Sequence, residues 1–282
     1  MTEHTHHTAP TQFVESAGIR FAYRRFGKSS SVPIVLNQHF IGTMDYWDPR
    51  ITDGLAQDRE VILFNNAGVS SSSGEVPTTI DAMGANAIAF IRALGLEQVD
   101  ILGFSIGGTV AQEIALQAPD LVRKLILVGT GPRGGSGMAT LTPEAQAIFG
   151  KSYDPPEHLW LSVHFTQSEA SQAAGRRFLD RVTRRIEGRD PEVDEKVAPA
   201  QIEALGKWGV QSADSSRYLQ AIKQPTLVVN GDDDVIIYTI NSYTLQQNIE
   251  NAQLILYPDA NHGSLYQYPE LFLAHAALFL HE

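Results

Sequence analysis

The sequence contains no cysteine. A disulfide framework, a metal site built from thiolates and a catalytic cysteine are therefore excluded, and any nucleophile must come from another residue type. A chain without cysteine is compatible with a reducing compartment, and we expect a cytoplasmic location.

Positive charge is scarce as well. The chain of 282 residues has 21 Lys and Arg against 32 Asp and Glu, which gives a formal net charge of −11. Such a surface repels phosphate backbones and argues against a nucleic-acid partner. No apolar run approaches the roughly 18 residues that span a bilayer, so we expect no membrane partner either. The oligomeric state stays open, with a homodimer as one alternative.

The first residues also lack the apolar centre of a secretory signal. Residues 1–10 are polar and include His4, His6 and His7. An adventitious metal site is one interpretation of these histidines, and a solvated tail is the better one. We therefore predict a disordered tail over residues 1–11.

Beyond this tail, short apolar runs alternate with segments of helical periodicity. A hairpin is predicted around Ala17-Gly18, where Ile19, Phe21 and Tyr23 alternate with polar residues. Further strands are predicted at 33–37, 61–64, 99–104, 124–128, 226–230 and 253–257, and helices at 78–94, 106–117, 239–247 and 269–280. Alternating strands and helices imply an α/β fold whose parallel sheet is covered on both faces.

The alternation stops between about residues 131 and 223, where no convincing strand is found. Helix-like segments occur instead at 143–149, 156–165, 168–186, 193–205 and 215–222. We interpret 136–220 as a helical cap inserted into a core formed by 12–135 and 221–282. A cap at the ligand-binding edge of a sheet supplies binding and water exclusion, so we expect it to affect specificity more than chemistry.

The most specific motif is Gly103-Phe104-Ser105-Ile106-Gly107, which matches G-x-S-x-G. A predicted strand precedes it and a predicted helix follows. This context favours a nucleophilic serine on a strained turn, where side chains at the two glycines would collide. An ordinary glycine-rich turn is the alternative. We predict that Ser105 is the nucleophile.

A serine nucleophile needs a base, and His262 is the best candidate among nine histidines. It lies in a turn just after the last predicted strand, and loops at carboxyl ends of strands line the site in such sheets. Other histidines lie in the tail, in the insertion, in the last helix or at the chain end. His39, after an early strand, is equally compatible with a structural role and a place in the pocket.

Three consecutive acids, Asp232, Asp233 and Asp234, follow the strand predicted at 226–230. One of them is expected to orient His262, since the chain order Ser, Asp, His is the order of elbow-type hydrolases. Adjacent acids point in different directions and seldom form a cation site, so we predict no metal. The residues alone leave the choice among them open, and we favour Asp234.

Taken together, these motifs resemble the α/β-hydrolase superfamily from about residue 12 to 280. The resemblance implies an α/β-hydrolase fold, a serine esterase activity without a cofactor, and an acid at the last position of G-x-x-D, which is Asp234 here. It also implies an oxyanion hole formed by the backbone N–H groups of Phe40 and Ile106. The chain departs from the family where Gln38 and His39 replace His-Gly of the oxyanion loop, and where Asn65 replaces Asp.

The expected substrate is a small, neutral and fairly hydrophobic ester or lactone. The predicted substrate-binding residues are His39, Trp160, Phe165 and Trp208, although aromatic residues at helical spacing more often pack in a core. Two alternatives share the same triad: a C–C bond hydrolase and a cofactor-free perhydrolase of the haloperoxidase type. A ligand-binding relative without catalysis is a third, against which the intact Ser105, Asp234 and His262 weigh.

Overall fold

The computed structural model describes residues 4–29 and 32–281. Its single sheet has eight strands: β1 Gln12–Ser16, β2 Ile19–Gly27, β3 Ile34–Asn37, β4 Glu60–Phe64, β5 Val99–Phe104, β6 Val122–Val128, β7 Thr226–Gly231 and β8 Ala252–Tyr257. Their order across the sheet is β1-β2-β4-β3-β5-β6-β7-β8. β2 pairs antiparallel with β1 and β4, and the other pairs are parallel. The predicted α/β class with a mostly parallel sheet is confirmed.

Helices connect these strands. The α-helices are α1 Pro49–Ala56, α2 Ile80–Ala93, α3 Ile106–Gln117, α4 Pro143–Phe149, α5 Leu159–His164, α6 Glu169–Val182, α7 Val197–Trp208, α8 Ile240–Asn248, α9 Ser264–Gln267 and α10 Pro269–His281. Short 3₁₀ helices lie at Met44–Tyr46, Pro156–His158, Pro119–Leu121 and Arg217–Ala221. Within the described ranges, no helix has both the length and the hydropathy that crossing a bilayer requires.

Both faces of the sheet are buried. Neighbouring residues of a strand face opposite sides, so Ile101 of β5 packs in a cluster with Phe90 of α2, whereas Leu102 packs in a second cluster with Phe272 of α10. Strands that are covered on both faces need apolar residues at every position. This explains why the predicted parallel strands are continuous apolar runs rather than alternating ones.

The inserted segment is helical, as the sequence predicts. All of residues 129–225 are described and none of them lies in a strand. The helix predicted at 168–186 ends earlier, at Val182, and the helix predicted at 193–205 begins later, at Val197. The carboxylate of Asp194 accepts a hydrogen bond from the N–H of Lys196, which forms a turn just before α7. The last predicted segment, 215–222, forms only a 3₁₀ helix.

The structure differs from the expected tail at the N-terminus. His6 is buried, its N–H donates to the carboxylate of Asp53, and its Nδ1 lies 2.9 Å from Oγ1 of Thr52. The Arg185 guanidinium donates to the backbone carbonyls of His6 and Ala9. The first three residues lie outside the described ranges. Long-range partners, which local composition does not reveal, order this segment.

A buried ionic network joins the loop of residues 183–196, between α6 and α7 of the cap, to the core. The Arg24 guanidinium donates to Asp45 and lies 3.4 Å from Asp190, while Arg185 lies 3.7 Å from Asp45. The side-chain amide of Asn65 donates to Asp190 over 3.1 Å. Asn65, where the family has Asp, therefore sits beside a carboxylate that comes from the insertion.

The strand order positions the functional loops. β3 lies between β4 and β5, so the chain passes to one side of β3 and then to the other. Such a reversal opens a crevice at the carboxyl ends of the strands, where ligands bind in open α/β sheets. His39 follows β3 and Ser105 follows β5, which places both at this crevice.

Candidate active site

The turn from β5 into α3 holds Ser105 in a strained conformation. Its φ is 58° and its ψ is −123°, a region that L residues rarely adopt. A Cβ on Gly103 would lie 2.3 Å from the carbonyl oxygen of Gly107, and a Cβ on Gly107 would lie 2.0 Å from that of Asn37. Only glycine fits at both positions, which is the geometry that the G-x-S-x-G motif requires.

Ser105, His262 and Asp234 form a continuous hydrogen-bonded chain. Oγ of Ser105 lies 2.9 Å from Nε2 of His262, and Nδ1 of His262 lies 2.9 Å from Oδ2 of Asp234. Because a carboxylate only accepts, Nδ1 carries the imidazole proton and Nε2 accepts from the serine hydroxyl. The three residues are 5%, 2% and 3% exposed, respectively. The structure thus brings together the three residues that the sequence nominates, in an arrangement that can activate a serine.

Of the three consecutive acids, Asp234 is the one that contacts His262. Asp232 and Asp233 are exposed. The other oxygen of Asp234, Oδ1, accepts hydrogen bonds from the backbone N–H groups of Ile236 and Ile237. These bonds fix the carboxylate plane and leave Oδ2 for the imidazole.

The loop that carries His262 is hydrogen-bonded to the cap. The side-chain amide of Asn261 donates to the carbonyl oxygen of Ser162, and its oxygen accepts from the N–H of Val235. The N–H of Gly263 donates to the carbonyl oxygen of His164. Ser162 and His164 belong to α5. The cap therefore contacts the loop of the base directly, and the expected division, with specificity in the cap and chemistry in the core, stays a prediction.

A second set of hydrogen bonds joins this loop to the cap at Asp259. The carboxylate of Asp259 accepts hydrogen bonds from the hydroxyls of Ser168 and Thr166, at 2.5 and 2.6 Å. These hydrogen bonds lower the pKa of Asp259. Both hydroxyls lie between α5 and α6, so this part of the cap and the base loop share one polar contact region.

A largely apolar cavity of about 320 Å³ opens at Ser105 and His262. Its walls come mostly from the insertion, with Met138, Leu141, Phe149, Val163, Ile202 and Leu205 among the apolar residues. Of the predicted substrate-binding residues, His39 and Trp160 line it. Such a cavity fits a small apolar ligand and a few polar contacts.

The other two predicted substrate-binding residues are absent from the cavity lining. Phe165 is fully buried, with its ring 5.8 Å from that of Phe178. Trp208 donates from its indole N–H to the carbonyl oxygen of Gly131 and packs against Tyr218. Phe165 and Trp208 are therefore packing residues, and helical periodicity alone does not distinguish such aromatics from those that line a cavity.

The proposed oxyanion donors are the N–H groups of Phe40, in the loop after β3, and of Ile106, the first residue of α3. Around Phe40, the N–H of His39 donates to the side chain of Gln38, and the N–H of Ile41 donates to Gln201 of α7. Within the described residues, no hydrogen bond is formed by the N–H of Phe40 or by that of Ile106. These two groups are therefore free to bind a ligand oxygen, and their role stays a prediction.

His164 is a further residue at the site, to which sequence analysis gave no role. Its ring lies 6.0 Å from that of His262 and 5.2 Å from that of His39. Burial lowers the pKa of His39 to about 3 and that of His164 well below its ordinary value, so both rings are neutral. The three histidines lie on separate elements, and no spacing in the sequence signals that they meet.

Residues 32–269 match the alpha/beta hydrolase fold family. The chain belongs to the α/β-hydrolase family. This match covers most of the hydrolase and includes Ser105, Asp234 and His262.

Solved and curated relatives agree with this assignment. The hydrolase is 41% identical to an alpha/beta hydrolase fold protein from Chitinophaga pinensis, with a TM-score of 0.92 over 98% of this chain and 99% of that one. It is 29% identical to a poly(3-hydroxyalkanoate) depolymerase of Ectopseudomonas oleovorans, over 88% of this chain and 84% of the relative. It is 30% identical to a pimeloyl-[acyl-carrier protein] methyl ester esterase of Nitrosomonas europaea, over 62% and 68%.

Proposed function

We propose that this hydrolase cleaves small carboxylic esters or lactones through an acyl-enzyme. The observation that carries the proposal is the hydrogen-bonded chain from Ser105 through His262 to Asp234, at the end of a largely apolar cavity. In this proposal Ser105 is the nucleophile, His262 the general base and Asp234 the residue that orients the base.

The reaction proceeds in two halves. Nε2 of His262 takes the hydroxyl proton of Ser105 while Oγ bonds to the substrate carbonyl carbon. The N–H groups of Phe40 and Ile106 hold the resulting oxyanion. The C–O bond to the alcohol then breaks, and His262 gives its proton to the departing oxygen. Water, deprotonated by His262, attacks the acyl-enzyme, and the acid leaves as Oγ regains its proton.

The cavity and the relatives support an ester as the substrate. No Lys, Arg, Asp or Glu side chain of the described residues lines the cavity, so a neutral acyl chain suits it better than a charged one. Two of the relatives reported above are a depolymerase of a polyester and a methyl ester esterase. These names come from other chains and support the ester class rather than a particular substrate.

The proposal is tested with p-nitrophenyl esters of graded acyl length, assayed with the wild-type protein and Ser105→Ala. We expect hydrolysis by the wild type and less than about a tenth of it in the variant, because Oγ is the attacking atom. Mass spectrometry after treatment with a fluorophosphonate should place the adduct on Ser105. An active Ser105→Ala variant would contradict the assignment.

The same panel separates the related chemistries. It includes a β-diketone, as the substrate of a C–C bond hydrolase, and peroxide with acetate, as the substrates of a perhydrolase. Faster turnover of either one than of every ester and lactone tested would replace the ester proposal.

A further inference from the structure

The backbone fixes the tautomer of His39. Its Nδ1 lies 2.9 Å from the carbonyl oxygen of Phe40, and because a carbonyl oxygen only accepts, Nδ1 carries the proton. Nε2 then keeps a lone pair. Within the described residues no group donates to this nitrogen, although it is buried. His39 is therefore a hydrogen-bond acceptor that lacks a donor.

His164, its neighbour, has two ring nitrogens without a partner. Neither Nδ1 nor Nε2 forms a hydrogen bond with any described residue. A neutral imidazole has one N–H and one lone pair. The two histidines together therefore have a free donor and two free acceptors, with ring centroids 5.2 Å apart.

Packing holds the two rings in place. The indole of Trp160 stacks on His164 at 5.2 Å and 10°, and lies 4.8 Å from the ring of His39. Neither ring can turn to another protein group without disturbing this contact. Buried polar atoms are rarely left without a partner, because their desolvation is then uncompensated. A bound ligand or an ordered water can supply the missing partner.

Both histidines line the cavity that contains Ser105 and His262. The ring of His164 lies 6.0 Å from that of His262. A group that binds to the histidine pair would therefore occupy the same cavity as the bond that Ser105 attacks.

We propose that His39 and His164 bind a hydroxyl group of the substrate, so that the hydrolase is selective for hydroxylated esters or lactones. This inference rests on the proposed function and narrows its substrate class. The hydroxyl proton goes to Nε2 of His39, and the hydroxyl oxygen accepts the N–H of His164. His39 and His164 are specificity-determining residues in this arrangement.

Other polar groups fit the pair less well. A ketone or an ether only accepts, and leaves the lone pair of His39 unpaired. A carboxylate also only accepts, and no Lys or Arg among the described residues lines the cavity to balance its charge. A hydroxyl is uncharged, donates to Nε2 of His39 and accepts from the N–H of His164, so that it pairs two of the three free nitrogens.

The test uses three kinds of p-nitrophenyl hexanoate: the unsubstituted ester, a hydroxylated ester, and an ester methoxylated at the same carbon as the hydroxylated one. The substituent is moved along the acyl chain from carbon 2 to carbon 5. The methoxy ester has the same oxygen but no proton to donate. We expect one hydroxylated isomer to exceed its methoxy counterpart at least about tenfold in kcat/KM, because a buried acceptor discriminates against ligands that leave it unpaired.

Three variants attribute the discrimination to the histidines. In His39→Asn the amide nitrogen replaces Nδ1 as the donor to Phe40 and the acceptor at Nε2 is lost, whereas His39→Gln keeps a polar atom near Nε2. His164→Phe keeps the ring and removes both nitrogens. The ratio of hydroxy to methoxy kcat/KM should fall toward one in His39→Asn and His164→Phe, and fall less in His39→Gln. An unchanged ratio in His39→Asn and His164→Phe would overturn the proposal.

Binding to Ser105→Ala separates this inference from the proposed function. Calorimetry of this variant with the same esters measures recognition without chemistry. Tighter binding of the hydroxy ester than of the methoxy ester supports the inference, whether or not the wild type hydrolyses either ester. If the wild type hydrolyses no ester, only the proposed function is rejected. Equal binding of the two esters rejects the inference even if both are hydrolysed well.

Discussion

The backbone N–H of Gly263 donates a 2.9 Å hydrogen bond to the carbonyl oxygen of His164. His262 is the residue before Gly263, so the last residue of α5 in the cap holds the loop that carries the base. A Cβ on Gly263 would lie 2.4 Å from that of His164, which leaves room for glycine alone. A displacement of α5 therefore displaces His262 as well.

Asn261→Ala should lower kcat by about tenfold and change KM little, because a small misplacement of a catalytic group is costly. The variant loses the bonds to Val235 and Ser162, and Asn261 does not line the cavity. Steady-state kinetics on the best ester of the panel measures both constants. Asn251→Ala is the control, because the exposed side-chain amide of Asn251 donates to the backbone carbonyl oxygen of Lys223, on the surface and distant from the active site. An equal loss in both variants would reject the positioning role.

Asp234→Asn should cost at least about a hundredfold in kcat, because an amide partner favours the wrong tautomer of His262. Asp232→Asn and Asp233→Asn change exposed residues that do not contact His262 and should retain most of the activity. The same ester assay compares the three variants. If Asp232→Asn or Asp233→Asn lost the most activity, the wrong acid would have been assigned.

Gly107→Ala should prevent folding of the elbow, since the new Cβ would lie 2.0 Å from the carbonyl oxygen of Asn37. Gly206→Ala, inside α7, is the matched control: its Cβ would approach no heavy atom closer than 3.7 Å, and alanine stabilises a helix interior by about 1 kcal/mol over glycine. Thermal unfolding should show a lower Tm, or no soluble protein, for Gly107→Ala and an unchanged or higher Tm for Gly206→Ala. The opposite order would contradict the close approach.

Acid should destabilise the protein through its buried histidines. Burial lowers the pKa of His39 to about 3 and holds that of His164 well below its usual range, whereas both have a pKa of about 6.5 in the unfolded chain. Below about pH 6.5, the pKa of the unfolded chain, the unfolded chain binds more protons than the folded one. The free energy of unfolding therefore decreases as the pH is lowered, by up to about 1.4 kcal/mol per pH unit for each such histidine.

His164→Phe removes one of these groups, so its stability should fall less between pH 7 and pH 5 than that of the wild type. Urea unfolding at the two pH values measures the difference. His158→Gln, at an exposed position, is the control and should keep the wild-type dependence. A wild-type dependence in His164→Phe would show that His164 is protonated in the folded state.

Much of the fold and the three central side chains could be predicted from the sequence. Parallel strands are buried on both faces and leave apolar runs, and the glycines around Ser105 mark a turn that other residues cannot form. Both features depend on residues that are close together in the chain, so the sequence alone predicts them.

Contacts between distant segments left no such signal. His6 has the composition of a solvated tail, yet Arg185 and Thr52 order it. Trp160 and Trp208 both lie on cap helices, and only the fold decides that the first lines the cavity and the second packs away from it. His164 lies on α5, and only the fold brings its carbonyl and its ring beside the base.

The contact between Arg185 and His6 joins residues 179 positions apart. Synthesis proceeds from the N-terminal side, so Thr52 and Asp53 are available to His6 early, whereas Arg185 is available only after the loop of residues 183–196 has been made. Contacts at such separation close slowly, because the intervening chain must first give up its conformational freedom. The segment around His6 thus completes its hydrogen bonds only when residues 183–196 have taken their place on the core.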